Sequence, residues 1–191
     1  VWFDNRGSRN GIWYKKWNGT GWEADIKLTT IEFGYCNLPS IAIDSQDNIH
    51  VVWYYCDYIG DKSYAIYYRK WDGNAWGTAS KLTNDSSFSY FPAIAVDNND
   101  NPIVVWHDRR DGNDEIYYKK WNGTVWEADT RLTDDPKSSV SPTVAADSYN
   151  NFHIAWQDNR DDGNHYKIYY KKLAATAVPV GGAVPLTHDY T

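Results

Sequence analysis

Apolar and polar positions along this chain recur in a fixed order, with a period of about 50 residues. Trp2, Trp53, Trp106 and Trp156 mark the repeat. Each full unit opens on a short alternating run: P-S-I-A-I-D at Pro39, P-A-I-A-V-D at Pro92, P-T-V-A-A-D at Pro142. A polar turn follows at 45–48, 98–101 and 148–151. Next comes a β-branched and aromatic run of the H-V-V-W type, the composition of a buried strand. An Asp-, Arg- and Gly-rich loop leads to I-Y-Y-K-K. A turn at Asn18-Gly19, Asp72-Gly73 or Asn122-Gly123 then supplies the positive φ angles that hairpins need, and the last run ends in L-T. The pattern predicts four strands per unit, near 39–44, 49–55, 64–71 and 76–83 in the first full unit. The proline is expected at the first strand position, where a missing N–H is tolerated. No helical periodicity is present.

Four strand-like runs at this spacing are the mark of a β-propeller. The predicted fold is all-β, built of four-stranded antiparallel blades. The chain, 1–191, reads as a single repeat array with units at approximately 1–29, 39–83, 92–133 and 142–187. The first unit lacks its opening strand, and the last has a degenerate final hairpin without the Trp-Asn-Gly turn. Four blades either close a small ring or form part of a larger ring or assembly. A missing strand leaves an open sheet edge. The expectation is that a neighbouring chain covers it, with the segment around Val178–Thr191 or further sequence beyond this stretch as the alternatives. The chain contains no Met and begins inside a unit, so it reads as a piece of a longer repeat protein.

Composition narrows the partners. Hydrophobic residues make up 42% and aromatic ones 17%, with 11 Trp and 16 Tyr. Rings with a polar handle suit both packed sheets and sugar binding. Net charge is −6, with Lys and Arg spread over all units, which argues against a nucleic-acid partner. No apolar run reaches the roughly 18 residues of a transmembrane segment.

The run P-x-I-A-x-D-x-x-x-N-x-H-V-V-W-x-D-x-R resembles the unit of sialidase-like propellers with Asp-box-type repeats. The turns at Asp44, Asp97 and Asp147 lack the usual Gly and Thr of that box. The whole unit, with S-P near its start and W-N-G-x-x-W near its end, is also similar to tectonin-like and bacterial fucose-lectin propellers. The lectin resemblance implies glycan binding without catalysis. A sialidase would carry an Arg-Ile-Pro signature, which is absent. Glycoside hydrolysis needs two converging carboxylates, and Glu23 and Glu127 occupy equivalent repeat positions, which favours scaffold.

Loops in a meander alternate between two faces, so the D-x-R loops share one. Asp4 with Arg6, Asp108 with Arg110 and Asp158 with Arg160 are candidate ligand-binding residues through the planar guanidinium fork. The other reading is an Asp–Arg pair that holds its own loop. Trp22, Trp76 and Trp126 either offer a face to a sugar ring or stack across the hairpin on Trp17, Trp71 and Trp121. The acidic runs 111–115 and 158–162 lack calcium-loop spacing and read as solvated turns. No metal or cofactor is expected. Cys36 and Cys56 fall in two loops of one face, in the unit that has lost D-x-R. A disulfide is expected there, with two buried free thiols as the alternative. Asn18, Asn84 and Asn122 sit in N-x-S/T sequons. Disulfide and sequons together favour an extracellular or cell-surface location. The expected function is a non-catalytic binding module whose partner is a glycan or cell-surface protein. The alternatives are a structural sheath or filament subunit that self-assembles through sheet edges, and a fragment of a sialidase-like hydrolase.

Overall fold

Alternating apolar positions in each unit produce short antiparallel meanders. A computed structural model of the chain describes residues 1–6, 10–30, 34–57, 64–83 and 88–175, together with the backbone of 179–185. The first sheet holds β1 (Trp2–Asp4), β2 (Gly11–Tyr14) and β3 (Ile26–Lys27). The second holds β4 (Tyr35–Ile43), β5 (Ile49–Cys56), β6 (Tyr64–Trp71) and β7 (Ser80–Lys81). The third holds β8 (Ser89–Val96), β9 (Pro102–Asp108), β10 (Glu115–Lys120) and β11 (Thr130–Arg131). The fourth holds β12 (Ser139–Ala146), β13 (Phe152–Asp158), β14 (Lys167–Leu173) and β15 (Pro179–Pro185). Strands follow chain order in every sheet and no helix occurs among the described residues. The sheets are propeller-like blades.

The opening strands β4, β8 and β12 meet one another across neighbouring sheets, so they form the inner side of the array. Each sheet stacks on the next, and an apolar cluster fills each gap. Ile12, Leu28, Val51 and Trp53 lie between sheets one and two. Val52, Ile66, Leu82 and Trp106 lie between two and three. Val105, Ile116, Phe152 and Trp156 lie between three and four. The tryptophans that mark the repeat in the last three sheets are no more than 2% exposed, so they serve as interblade core. No closure between the first and fourth sheets is seen among the described residues. β15 pairs with β14 inside the fourth sheet, and no described strand other than β2 pairs with β1; residues 186–191 of the C-terminal segment lie outside the described residues.

Three local expectations need correction. The prolines do not begin their strands. Pro39, Pro92 and Pro142 sit inside β4, β8 and β12, where the register shifts. The residue before each has positive φ: Leu38 (48°), Phe91 (48°) and Ser141 (51°). A bulge is where a strand accommodates a residue that cannot donate. The fourth strands are also shorter than expected, β3, β7 and β11 being two residues each. They are preceded by single bridges, Trp17 to Trp22, Trp71 to Trp76 and Trp121 to Trp126. Finally, the Asn-Gly turns span four residues. In them only the glycine has positive φ, and the Asn or Asp side chain accepts backbone N–H groups, as Asn18 does from Thr20 and Gly21.

Candidate functional site

Along β9 and the loop after it, Trp106, Asp108 and Arg110 alternate onto one face, and they lock together. Asp108 Oδ2 accepts from Trp106 Nε1 at 3.0 Å, Ser89 Oγ at 2.8 Å and Arg110 Nη2 at 2.7 Å. Asp108 Oδ1 accepts the Arg110 backbone N–H at 3.0 Å. The guanidinium carbon lies 4.4 Å from the centre of the Tyr117 ring, and Arg110 also grips Asp129 at 2.8 Å. The fourth sheet repeats this with Trp156, Ser139, Asp158 and Arg160, the last over the Tyr169 ring at 4.2 Å. Burial pushes the Asp158 carboxyl up, but hydrogen bonds from Arg160, Trp156 and Ser139 outweigh it and hold it below the ordinary carboxylate value. In the first sheet Trp2, Asp4 and Arg6 make the same set, with Arg6 over Trp13 and also bonded to Asp25. The network plugs the D-x-R end of the first, third and fourth blades.

The second sheet keeps the two rings of the plug, as Trp53 and Tyr67, and lacks the rest of it. Cys36 stands where Ser89 and Ser139 stand, and Tyr55 stands where the others have Asp108 and Asp158. Asp57 takes the place of the arginine. Ala79 and Gly77 replace the Asp and Glu found as Asp129 and Glu127. An open cavity of about 550 Å³ results, in the range of small-molecule sites. Leu28, Thr29 and Thr30 of the first sheet form one wall. Cys36, Trp53, Tyr55, Tyr67 and Arg69 form the other, and Trp76 and 77–79 form the rim. Tyr55 stands edge-on to Tyr67, and Trp76 stands edge-on to Tyr14. The Trp76 indole N–H has no hydrogen-bond partner among the described residues. Arg69 crosses the cleft, its Nη1 donating to the Leu28 carbonyl at 2.5 Å and its Nε to the Gly77 carbonyl at 2.6 Å. The chain enters β4 through Gly34 at φ 80°. A Cβ there would sit 2.0 Å from the Cys56 carbonyl oxygen, so only glycine fits.

The expected Cys36–Cys56 disulfide is not formed, and both thiols are free and buried. β4 extends through the loop assumed from sequence, and its register sets Cys36 opposite Tyr55 and Tyr35 opposite Cys56. That one-residue offset sends the two sulfurs to opposite faces of the sheet. The Cys36 thiol faces the cavity. Burial pushes it up to about 12 against hydrogen bonds from Trp53 and Thr29, so it is no nucleophile at neutral pH.

Of the other sequence candidates, Arg6, Arg110 and Arg160 are engaged by their own loop carboxylates, as given above. Trp76 lines the cavity. Trp22 is 65% exposed and stacks edge-on to Trp17, and Trp126 stands edge-on to Tyr68. Asn18 and Asn122 are exposed, but their side-chain oxygens close the turn. Asn84 lies outside the described residues. The acidic run 111–115 is paired with arginines on either side of it, Asp114 with Arg109 and Glu115 with Arg131. His50 bonds Asp44 and Tyr68. Among the described residues no group of three or more His, Cys, Asp or Glu is placed to hold a metal ion, and no helix is long and apolar enough to cross a membrane. Sequence reading missed Tyr55, Tyr67, Arg69 and Ala79 as a group. The available signal was the coincident loss of Asp, Arg and Asp from one unit.

No protein-family profile matches the chain, and no curated protein matches it. Solved structures do. The Aleuria aurantia lectin in complex with alpha-methyl-L-fucoside superposes with a TM-score of 0.57 at 14% identity over 98% of this chain. The chain spans 56% of that lectin's length. At that identity the likeness shows the fold. A fucose lectin from Kordia zhangzhouensis in complex with methyl-fucoside gives a TM-score of 0.49 at 16% identity, over 78% of this chain and 98% of its own. An endo-arabinase from Bacteroides thetaiotaomicron gives 0.48 at 15%, over 98% of this chain and 74% of its own.

Proposed function

We propose that the chain is a non-catalytic glycan-binding module, working outside the cell or at its surface, and that it holds one sugar unit in the cavity between the first and second sheets. The observation that carries this reading is the cavity itself. It opens at the unit that lost most of the plug, and its lining supplies aromatic rings, hydroxyls and a guanidinium. A sugar presents C–H faces to such rings and hydroxyls to such donors. The likeness to a lectin bound to a fucoside adds support at the level of fold. The Asp–Arg pairs of the other blades are scaffold in this reading. Among the described residues no pair of carboxylates lines the cavity, as glycoside hydrolysis would require.

A glycan array followed by titration on tryptophan fluorescence tests it. Saturable binding that changes indole emission is expected, and Trp76→Ala should weaken it about tenfold or more while the far-ultraviolet spectrum is kept. Failure of every glycan to bind, together with concentration-dependent growth of the particle in light scattering, would favour the structural-subunit reading instead.

A further inference from the structure

The cavity has a charge that nothing in the described structure balances. Lys15, Arg69 and Lys119 occupy one repeat position, each reaching across its blade from the I-Y-Y-K-K strand. In the first sheet Asp25 neutralises Lys15 at 2.9 Å, and in the third Asp129 neutralises Lys119 at 2.8 Å. The equivalent residue in the second sheet is Ala79. Arg69 therefore keeps its charge against two neutral carbonyls, those of Leu28 and Gly77.

The other described arginines — Arg6, Arg109, Arg110, Arg131 and Arg160 — each have a carboxylate within ion-pair distance. The pKa values of Arg6, Arg109, Arg131 and Arg160 are raised, whereas that of Arg69 is lowered, by desolvation alone. A guanidinium has five N–H donors, and the two bonds to carbonyls leave others for a ligand. None of the described residues lining the cavity is acidic. Asp57 is close enough to raise the Tyr55 and Tyr67 hydroxyls, after the larger effect of burial, but does not line the cavity.

We infer that the cavity selects an acidic sugar, one bearing a carboxylate or a sulfate that completes the ion pair Arg69 lacks. This rests on the reading of the cavity as a glycan site. An incoming anion restores at Arg69 what Asp25 and Asp129 supply to the lysines of the neighbouring blades. It also brings acceptors to the donors left open there. Trp76 and the two tyrosines then hold the ring of the sugar.

Calorimetric titration with glucose, glucuronate and glucose 6-sulfate, at low salt and again at high salt, separates the possibilities. At least one acidic sugar should bind about tenfold or more tightly than glucose, the worth of one charge-assisted hydrogen bond. Comparison of the two acidic sugars tells carboxylate from sulfate. The advantage should shrink as salt rises. Ala79→Asp supplies the missing carboxylate without removing Arg69, and is expected to erase the preference for acid. Arg69→Lys, which restores the residue of the sister blades, should keep part of it. Equal affinity for glucose and both acids would overturn the inference and leave the glycan reading standing. Glycans bound on the array but neither acid preferred over its neutral parent in titration would do the same. Absence of binding by any sugar in either experiment would remove both.

Discussion

Single residues carry most of the pH response. His107 is 6% exposed in β9, between the rings of Tyr90 and Phe91, and its Nδ1 accepts the Ser141 backbone N–H at 3.2 Å. Burial lowers its pKa to about 4, with Asp114 and Asp108 pulling it up and Arg109 pushing it down. The folded value lies below that of the unfolded chain. Its contribution is therefore intact above about pH 6.5 and lost as pH falls toward 4, a cost on the order of 2–3 kcal/mol by pH 4.5. Burial lowers the pKa of His50 too, in the same direction. Urea unfolding at pH 7.5 and 4.5 should show the loss, and His107→Gln, matching Gln157 of the next blade, should reduce it. The two thiols give a second test. Iodoacetamide at pH 8 should leave the folded protein unlabelled, and in urea without reductant it should add two carbamidomethyl groups. Two unlabelled sulfurs in urea would mean that a disulfide had formed after all. The sequence placed both cysteines in one blade. It could not show the one-residue register that parts them, because register is set by pairing across the sheet and not by local composition.

At the level of the strand, periodicity told most. The runs at 49–55 and 64–71 appear as β5 (Ile49–Cys56) and β6 (Tyr64–Trp71). The opening strand was misjudged because proline was taken as a beginning, whereas the bulge at Leu38 lets the pairing run back to Tyr35. The closing strand was overestimated because the Trp71–Trp76 bridge and the Gly77–Ala79 stretch carry strand-like composition without a continuous ladder. The plug was half legible. Its D-x-R core was visible, but Ser89, Tyr117 and Asp129 join it only through the fold. A rebuilt plug in the second blade tests its role. The variant Cys36→Ser, Tyr55→Asp, Asp57→Arg, Ala79→Asp should abolish sugar binding in titration. Its unfolding midpoint should move little, because a buried ion pair roughly offsets its own desolvation.

For the whole molecule, stability lies between blades. Trp106 is fully buried in the gap between sheets two and three. Trp106→Ala is expected to cost about 3–5 kcal/mol. A repeat array is held by nearest-neighbour interfaces. The same variant should therefore split the urea transition, followed by circular dichroism, into two steps, one for each half of the array. The sequence made the blades legible and left ring closure open, since closure depends on the angle between sheets and no residue pattern encodes that directly. One further contact bears on how such a chain came about. Arg69, Lys119 and Lys171 each reach back to a leucine carbonyl of the preceding sheet, those of Leu28, Leu82 and Leu132. A main-chain oxygen is the same whatever side chain its residue bears. This one hydrogen bond of each joint therefore asks nothing of its neighbour's side chain, whereas the apolar cluster in the gap does. At that contact a repeat can be duplicated or exchanged with no matching change next door, and one copy can drift toward a new ligand as long as it keeps its share of the apolar gap.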